Sequence, residues 1–162
     1  MFSDETETVL RLLIAIPLGG LIGFEREIQN QPAGLRTHIV LCVGSTLMML
    51  VSIFVAKNIA HNQFSDPSRI AAQVVTGIGF LGAGAIMRLG VSVKGLTTAA
   101  SLWTTAGIGL AIGSGFYLGA LMTTFILLVA LNILKKWPKI FADAKSSKTI
   151  SVVARESTSI IG

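Results

Sequence analysis

Apolar residues in this chain gather into five long runs, separated by short polar breaks. The runs are Val9–Phe24, Thr37–Ala56, Ile70–Met87, Leu96–Gly113 and Phe116–Leu134. A helix of about 20 mostly apolar residues crosses the hydrocarbon core of a bilayer. The pattern predicts an all-α membrane protein, a compact bundle of about five transmembrane helices over residues 6–24, 37–56, 70–87, 96–113 and 116–134. The first run reaches spanning length if Thr6 and Glu7 begin the helix. Glu7 and Arg11 are then four apart and pair, with Arg11 snorkelling outward. Gly113-Ser114-Gly115 is the only break between the last two runs and suits a tight helical hairpin.

Composition agrees with lipid as the main solvent. Of 162 residues, 52% are hydrophobic and 13% are charged. Soluble domains carry about 25% charged residues, and a small domain exposes much of its chain. The net charge of +5 does not point to nucleic acid, because six of the thirteen Lys/Arg lie beyond Leu134, after the last apolar run. The N-terminus is acidic (Asp4, Glu5, Glu7) and lacks a basic leader, so the first run reads as a retained helix and not a cleaved signal peptide. With five spans the ends lie on opposite sides. The Lys/Arg bias places Arg26, Arg36, Arg88, Lys94 and the basic tail in the cytoplasm, and Arg11, Lys57 and Arg69 outside. The expected layout is a periplasmic N-terminus, a transmembrane domain over residues 1–136 and a cytoplasmic tail over 137–162. The tail opens with Trp137 and Pro138 and includes a strand-like stretch at 148–155, as the start of a further domain would.

Sixteen of the seventeen glycines fall between Gly19 and Gly119. Small residues let membrane helices approach closely. Gly19/Gly23, Gly109/Gly113 and Gly115/Gly119 have the four-residue spacing, and the third run carries Gly77, Gly79, Gly82 and Gly84. These four are expected to pack against a neighbouring helix. Residues 77–82, GIGFLG, match the dinucleotide fingerprint literally. That fingerprint needs an acidic residue about 20 positions later, and no Asp or Glu stands between Asp66 and Asp143.

Acids are equally scarce for ion transport, which uses buried Asp or Glu. Glu25 and Glu27, at the inner end of the first span, are the carboxylates nearest the membrane. His38 and Cys42 are four apart, but two ligands do not make a metal site and Glu25 is the only obvious third. No Ser/His/Asp arrangement exists, so neither an enzyme nor a cofactor is expected. The strongest polar constellation is Glu25, Arg26, Arg36, Thr37, His38 and Arg88, brought to one end of the bundle by adjacent helices. A Glu25–Arg36 pair at the membrane edge is the expected core of that cluster.

These residues, with their apolar surroundings, resemble the MgtC/SapB family of bacterial inner-membrane proteins. The matching stretches are Gly19–Glu27, Ala33–Ser45, Ser68–Met87 and Val93–Gly113. The resemblance implies a multi-pass protein of the bacterial inner membrane linked to growth under magnesium limitation and to survival inside macrophages. It implies a regulator that contacts other membrane proteins, the F-type ATP synthase among them, with a homo-oligomer also open. The alternative is a small transporter or channel for magnesium or another solute. Many family members carry an additional cytosolic domain after the helices.

Overall fold

The computed structural model describes residues 4–58 and 66–133. Five helices follow one another: α1 (Asp4–Ile28), α2 (Leu35–Asn58), α3 (Arg69–Ala85), α4 (Leu96–Ser114) and α5 (Tyr117–Ile133). An antiparallel ribbon, β1 (Met87–Leu89) and β2 (Ser92–Lys94), connects α3 to α4. α1, α2 and α4 are long and apolar enough to cross a membrane, and α3 and α5 are shorter apolar helices of 17 residues. The chain is thus the helical membrane bundle that its apolar runs predict. The stretch 137–162 with Trp137, and within it the strand-like segment 148–155, lie outside the described residues.

The ribbon corrects one expectation. α3 stops at Ala85, short of Met87, and Arg88 and Lys94 stand on strands instead of in a plain loop. Gly90 (φ 64°) turns the chain between the strands, and Gly95 (φ 89°) starts α4. Both occupy the left-handed region that glycine adopts without steric cost. Upstream of α3, Asp66 accepts bonds from the Ser68 hydroxyl (2.9 Å) and the Ser68 N–H (2.8 Å). The hydroxyl first, then the backbone bond, holds the exposed Asp66 carboxyl below its ordinary pKa.

The core sits among α1, α2, α4 and α5. Ala15, Leu18 and Ile22 meet Cys42, Ile108, Ile112 and Ala120 there. Lipid is as apolar as leucine, so close packing and interhelical hydrogen bonds hold such a bundle together. The glycines make the packing close. A Cβ on Gly19 would lie 2.8 Å from the Cys42 Cβ and 2.8 Å from the His38 carbonyl. One on Gly23 would lie 2.7 Å from the Leu35 Cα, and one on Gly113 2.7 Å from the Thr46 carbonyl. α1 and α4 therefore both press backbone against α2. Thr46 stitches the second contact, its hydroxyl lying 2.9 Å from the Cys42 carbonyl and 3.0 Å from that of Gly109.

α3 does not follow this rule, and the expectation for its glycines is corrected at three of four positions. Gly82 is buried with a Cβ 3.6 Å from that of Ala99, but Gly77, Gly79 and Gly84 have nothing within 4 Å of where a Cβ would stand. Small residues permit close approach; they do not compel it. α3 turns one stripe, Ala71, Ile78 and Gly82, inward and leaves most of the rest exposed. Gly119 likewise packs no neighbouring helix, and Gly115 meets only the Arg11 side chain of α1, 3.1 Å from where a Cβ would stand. Gly115 (φ 85°) caps α4, its N–H bonded to the Ile112 carbonyl and that of Phe116 to Ala111, and Gly119 faces the Phe116 ring.

Arg11 is ion-paired with Glu7, as the four-residue spacing predicts, but it does not snorkel outward. Its Nη1 donates to the Gly113 carbonyl (2.6 Å) and its Nε to the Tyr117 hydroxyl (3.2 Å). One guanidinium thus ties α1 to the α4–α5 turn, where the last carbonyls of α4 lack helical partners. Arg11→Met is expected to destabilise the bundle by about 1.5–3 kcal/mol, the range for hydrogen bonds to a charged group. Arg11→Lys should recover only part, because an ammonium cannot reproduce the planar fork. Thermal unfolding in detergent checks both.

Candidate functional site

The polar residues of the sequence cluster do come to one end of the bundle. The α1–α2 loop is short and pinned at both sides. Glu27 Oε2 accepts the Leu35 N–H at 2.8 Å, and the Gln31 N–H donates to the Arg26 carbonyl at 3.0 Å. Asn30 takes the left-handed conformation (φ 53°) that lets the chain reverse. α4 arrives at the same end, since Arg26 Nη2 donates to Thr98 Oγ1 at 3.0 Å as well as to Gln31 Oε1 at 3.0 Å.

The cluster then divides into two halves. Glu25, Arg26 and His38 are buried, 8%, 4% and 0% exposed. Arg36, Thr37 and Arg88 are exposed. The expected Glu25–Arg36 pair is not formed. α1 continues through Glu25 to Ile28, so Glu25 is a helix residue turned into the bundle, whereas Arg36 occupies the first turn of α2 on its outer face. Arg88 is on the ribbon, its Nε donating to the Gly90 carbonyl at 3.1 Å.

The buried half is an internal network with unsatisfied atoms on two of its residues. His38 Nδ1 lies 2.9 Å from the Gly34 carbonyl, so that nitrogen carries a proton. His38 Nε2 is 3.2 Å from Ser101 Oγ, which is also 2.8 Å from the Thr98 carbonyl. A single hydroxyl proton thus faces two acceptors when the ring is neutral. Both carboxylate oxygens of Glu25, and Nε of Arg26, are buried without a hydrogen-bond partner among the described residues. Buried polar atoms usually find partners, which makes Glu25 the chemically unusual group of this bundle.

Ser101 and Gln31 belong to this network and were not singled out from the sequence. A signal existed for Ser101: Thr98, Ser101 and Thr105 recur at three- and four-residue steps, one face of a helix, and all three are buried. Gln31 carried no signal, because a loop glutamine is ordinary. His38 and Cys42 are both buried but gain no third ligand. No group of three or more His, Cys, Asp or Glu able to hold a metal ion exists among the described residues.

Comparison with known proteins places this geometry in context. The sequence profile of the MgtC family matches residues 12–140. A protein of Escherichia coli (strain K12) called putative magnesium transporter YhiD is 46% identical over 127 residues, 75% of this chain and 59% of that protein. Protein MgtC of Salmonella typhimurium (strain LT2) is 48% identical over 126 residues, 78% of this chain and 51% of that protein. An uncharacterized protein of Haemophilus influenzae is 42% identical over 127 residues, 76% of this chain and 53% of its own length. The matches thus span between half and three-fifths of these relatives' length. No solved structure matches the chain.

Proposed function

The chain belongs to the MgtC family, and from that premise we propose that it is a regulatory inner-membrane protein, linked to adaptation to magnesium limitation, that acts by contacting other membrane proteins. One observation carries the reading. α2 is closed against both α1 and α4, backbone to backbone, at Gly19, Gly23 and Gly113. A hydrated divalent cation gives up water reluctantly, and helices in such contact leave it no passage through the core they form. The polar groups that would line a route between them, His38, Thr46, Thr98 and Ser101, are bonded to one another and to backbone.

The exposed half of the cluster is then the contact surface. Arg36, Arg88 and Lys94 stand at one end of the bundle, on the side we assign to the cytoplasm from the Lys/Arg bias. Partner proteins with acidic patches at the membrane edge suit it, and the F-type ATP synthase is the candidate that the family resemblance supplies. Survival inside host cells would follow from the same adaptation.

A second reading, transport of magnesium, is favoured by the name of the E. coli relative and by the unpartnered Glu25 carboxylate. Flux separates the two. Purified protein in liposomes loaded with a magnesium-sensitive dye is expected to give no influx above empty liposomes. It is also expected to restore low-magnesium growth to a strain lacking it. Restored growth should be lost in the Arg36→Gln/Arg88→Gln double variant at unchanged protein level. Magnesium influx that disappears in Glu25→Gln would replace regulation with transport.

A further inference from the structure

α2 and α3 diverge and leave an open groove of about 990 Å³ between them. Apart from Ser45 its walls are apolar: Val40, Gly44 and Met48 on α2, and Gly77, Phe80 and Leu81 on α3. Phe80 is 83% exposed and Val40 71%, so no part of the described chain covers them. The open glycines of α3 help to make the groove, since side chains at Gly77 and Gly84 would project into it. At one end the lining changes character. Arg36 and Thr37, in the first turn of α2, close the groove with a cation and a hydroxyl. Arg36 is exposed and makes no hydrogen bond or ion pair among the described residues.

We propose that this groove is a binding site for one anionic phospholipid, its acyl chains along α2 and α3 and its phosphate on Arg36 and Thr37. Three observations select a lipid over a protein segment. The charge is at the end and not along the length, which matches a molecule with one polar head. From Arg36 to Met48 the groove runs twelve helical residues, or about 18 Å, close to one leaflet of a hydrocarbon core about 30 Å thick. A transmembrane helix would need a groove twice as long. The lone cation selects a negative headgroup, and deeper in the lining the one polar side chain is Ser45, only 3% exposed, so the depth of the groove suits acyl chains. The site does not depend on whether the chain regulates or transports; with Arg36 on the lipid, Arg88 and Lys94 are the cations left for the protein contact proposed above.

Native mass spectrometry of the chain released from nanodiscs tests the proposal. The nanodiscs contain phosphatidylglycerol and phosphatidylethanolamine in equal amounts. One retained phosphatidylglycerol per chain is expected, preferred roughly fivefold over phosphatidylethanolamine, the effect of one basic residue beside an anionic lipid. Arg36→Gln should abolish the preference while leaving occupancy measurable. Gly44→Leu/Gly77→Leu should remove the retained lipid altogether. Both glycines face open space, and an unchanged melting temperature verifies that this variant folds. Equal retention by the filled-groove variant, or an unaltered preference in Arg36→Gln, overturns the proposal. A wild-type mass corresponding to a dimer, lost on filling the groove, would overturn it too and give the groove to a second copy of the chain.

Discussion

Replacing Arg26 with methionine is expected to lower the stability of the bundle by on the order of 3 kcal/mol, the scale for removing one charge from a buried ionic site. Arg26 is 4% exposed and links three elements, reaching Gln31 in the α1–α2 loop and Thr98 on α4 from its place on α1. Its guanidinium is also the cation adjacent to Glu25, whose carboxylate is buried with neither oxygen bonded among the described residues. Methionine keeps much of the apolar stem and removes the charge, so the buried Glu25 carboxyl would lose its neighbouring cation. Glu25→Gln alone is expected to be neutral or stabilising, since an amide costs less to bury than an unpaired carboxylate. The double variant Glu25→Gln/Arg26→Met should then recover a substantial part of the loss. A double-mutant cycle on unfolding in detergent reads this directly. Additive effects would show that the two side chains act separately.

Gly109→Leu is expected to prevent tight closure of α4 on α2, with a loss of at least about 3 kcal/mol, the upper end of overpacking costs. Even a Cβ at Gly109 would meet the Ser45 Cβ at 2.7 Å and the Thr46 nitrogen at 3.1 Å, and backbone atoms cannot rotate aside. The same substitution at Gly79 should leave stability within about 0.5 kcal/mol, the usual range for a surface site. It meets open space. Melting temperatures of the two variants in one detergent test the contrast. A large loss at Gly79 with none at Gly109 would reverse the packing described above.

That contrast shows what the chain discloses before it is folded. The five helices are legible because a membrane span must be long and apolar whatever surrounds it. Gly19, Gly23, Gly109 and Gly113 are legible as contact residues because four-residue spacing puts them on one helix face. Gly77, Gly79 and Gly84 look the same in sequence, and only the divergence of neighbouring helices from α3 leaves them facing open space. Spacing gives the face; it does not say what that face meets. The polar cluster divides on the same ground. Glu25, Arg36 and His38 are rightly placed at one end, but a helix that runs one turn further than its apolar core carries Glu25 inside and leaves Arg36 without it. The ribbon escapes sequence reading because its two strands have three residues each, too few for any alternation to register. Arg11 shows a related limit: Glu7 is found by counting four residues, whereas Gly113 and Tyr117 are more than a hundred positions away.

The bond from Arg26 to Thr98 bridges 72 positions of sequence, and that from His38 to Ser101 bridges 63. Arg26 and His38 leave the ribosome well before their partners on α4 do. Two charged or polar side chains must wait, near the translocon wall or the water of its channel, for a helix synthesised later. α4 is accordingly the element whose arrival completes the bundle, and a nascent chain halted before Thr98 would present an unfinished polar surface to the quality-control proteases of the membrane.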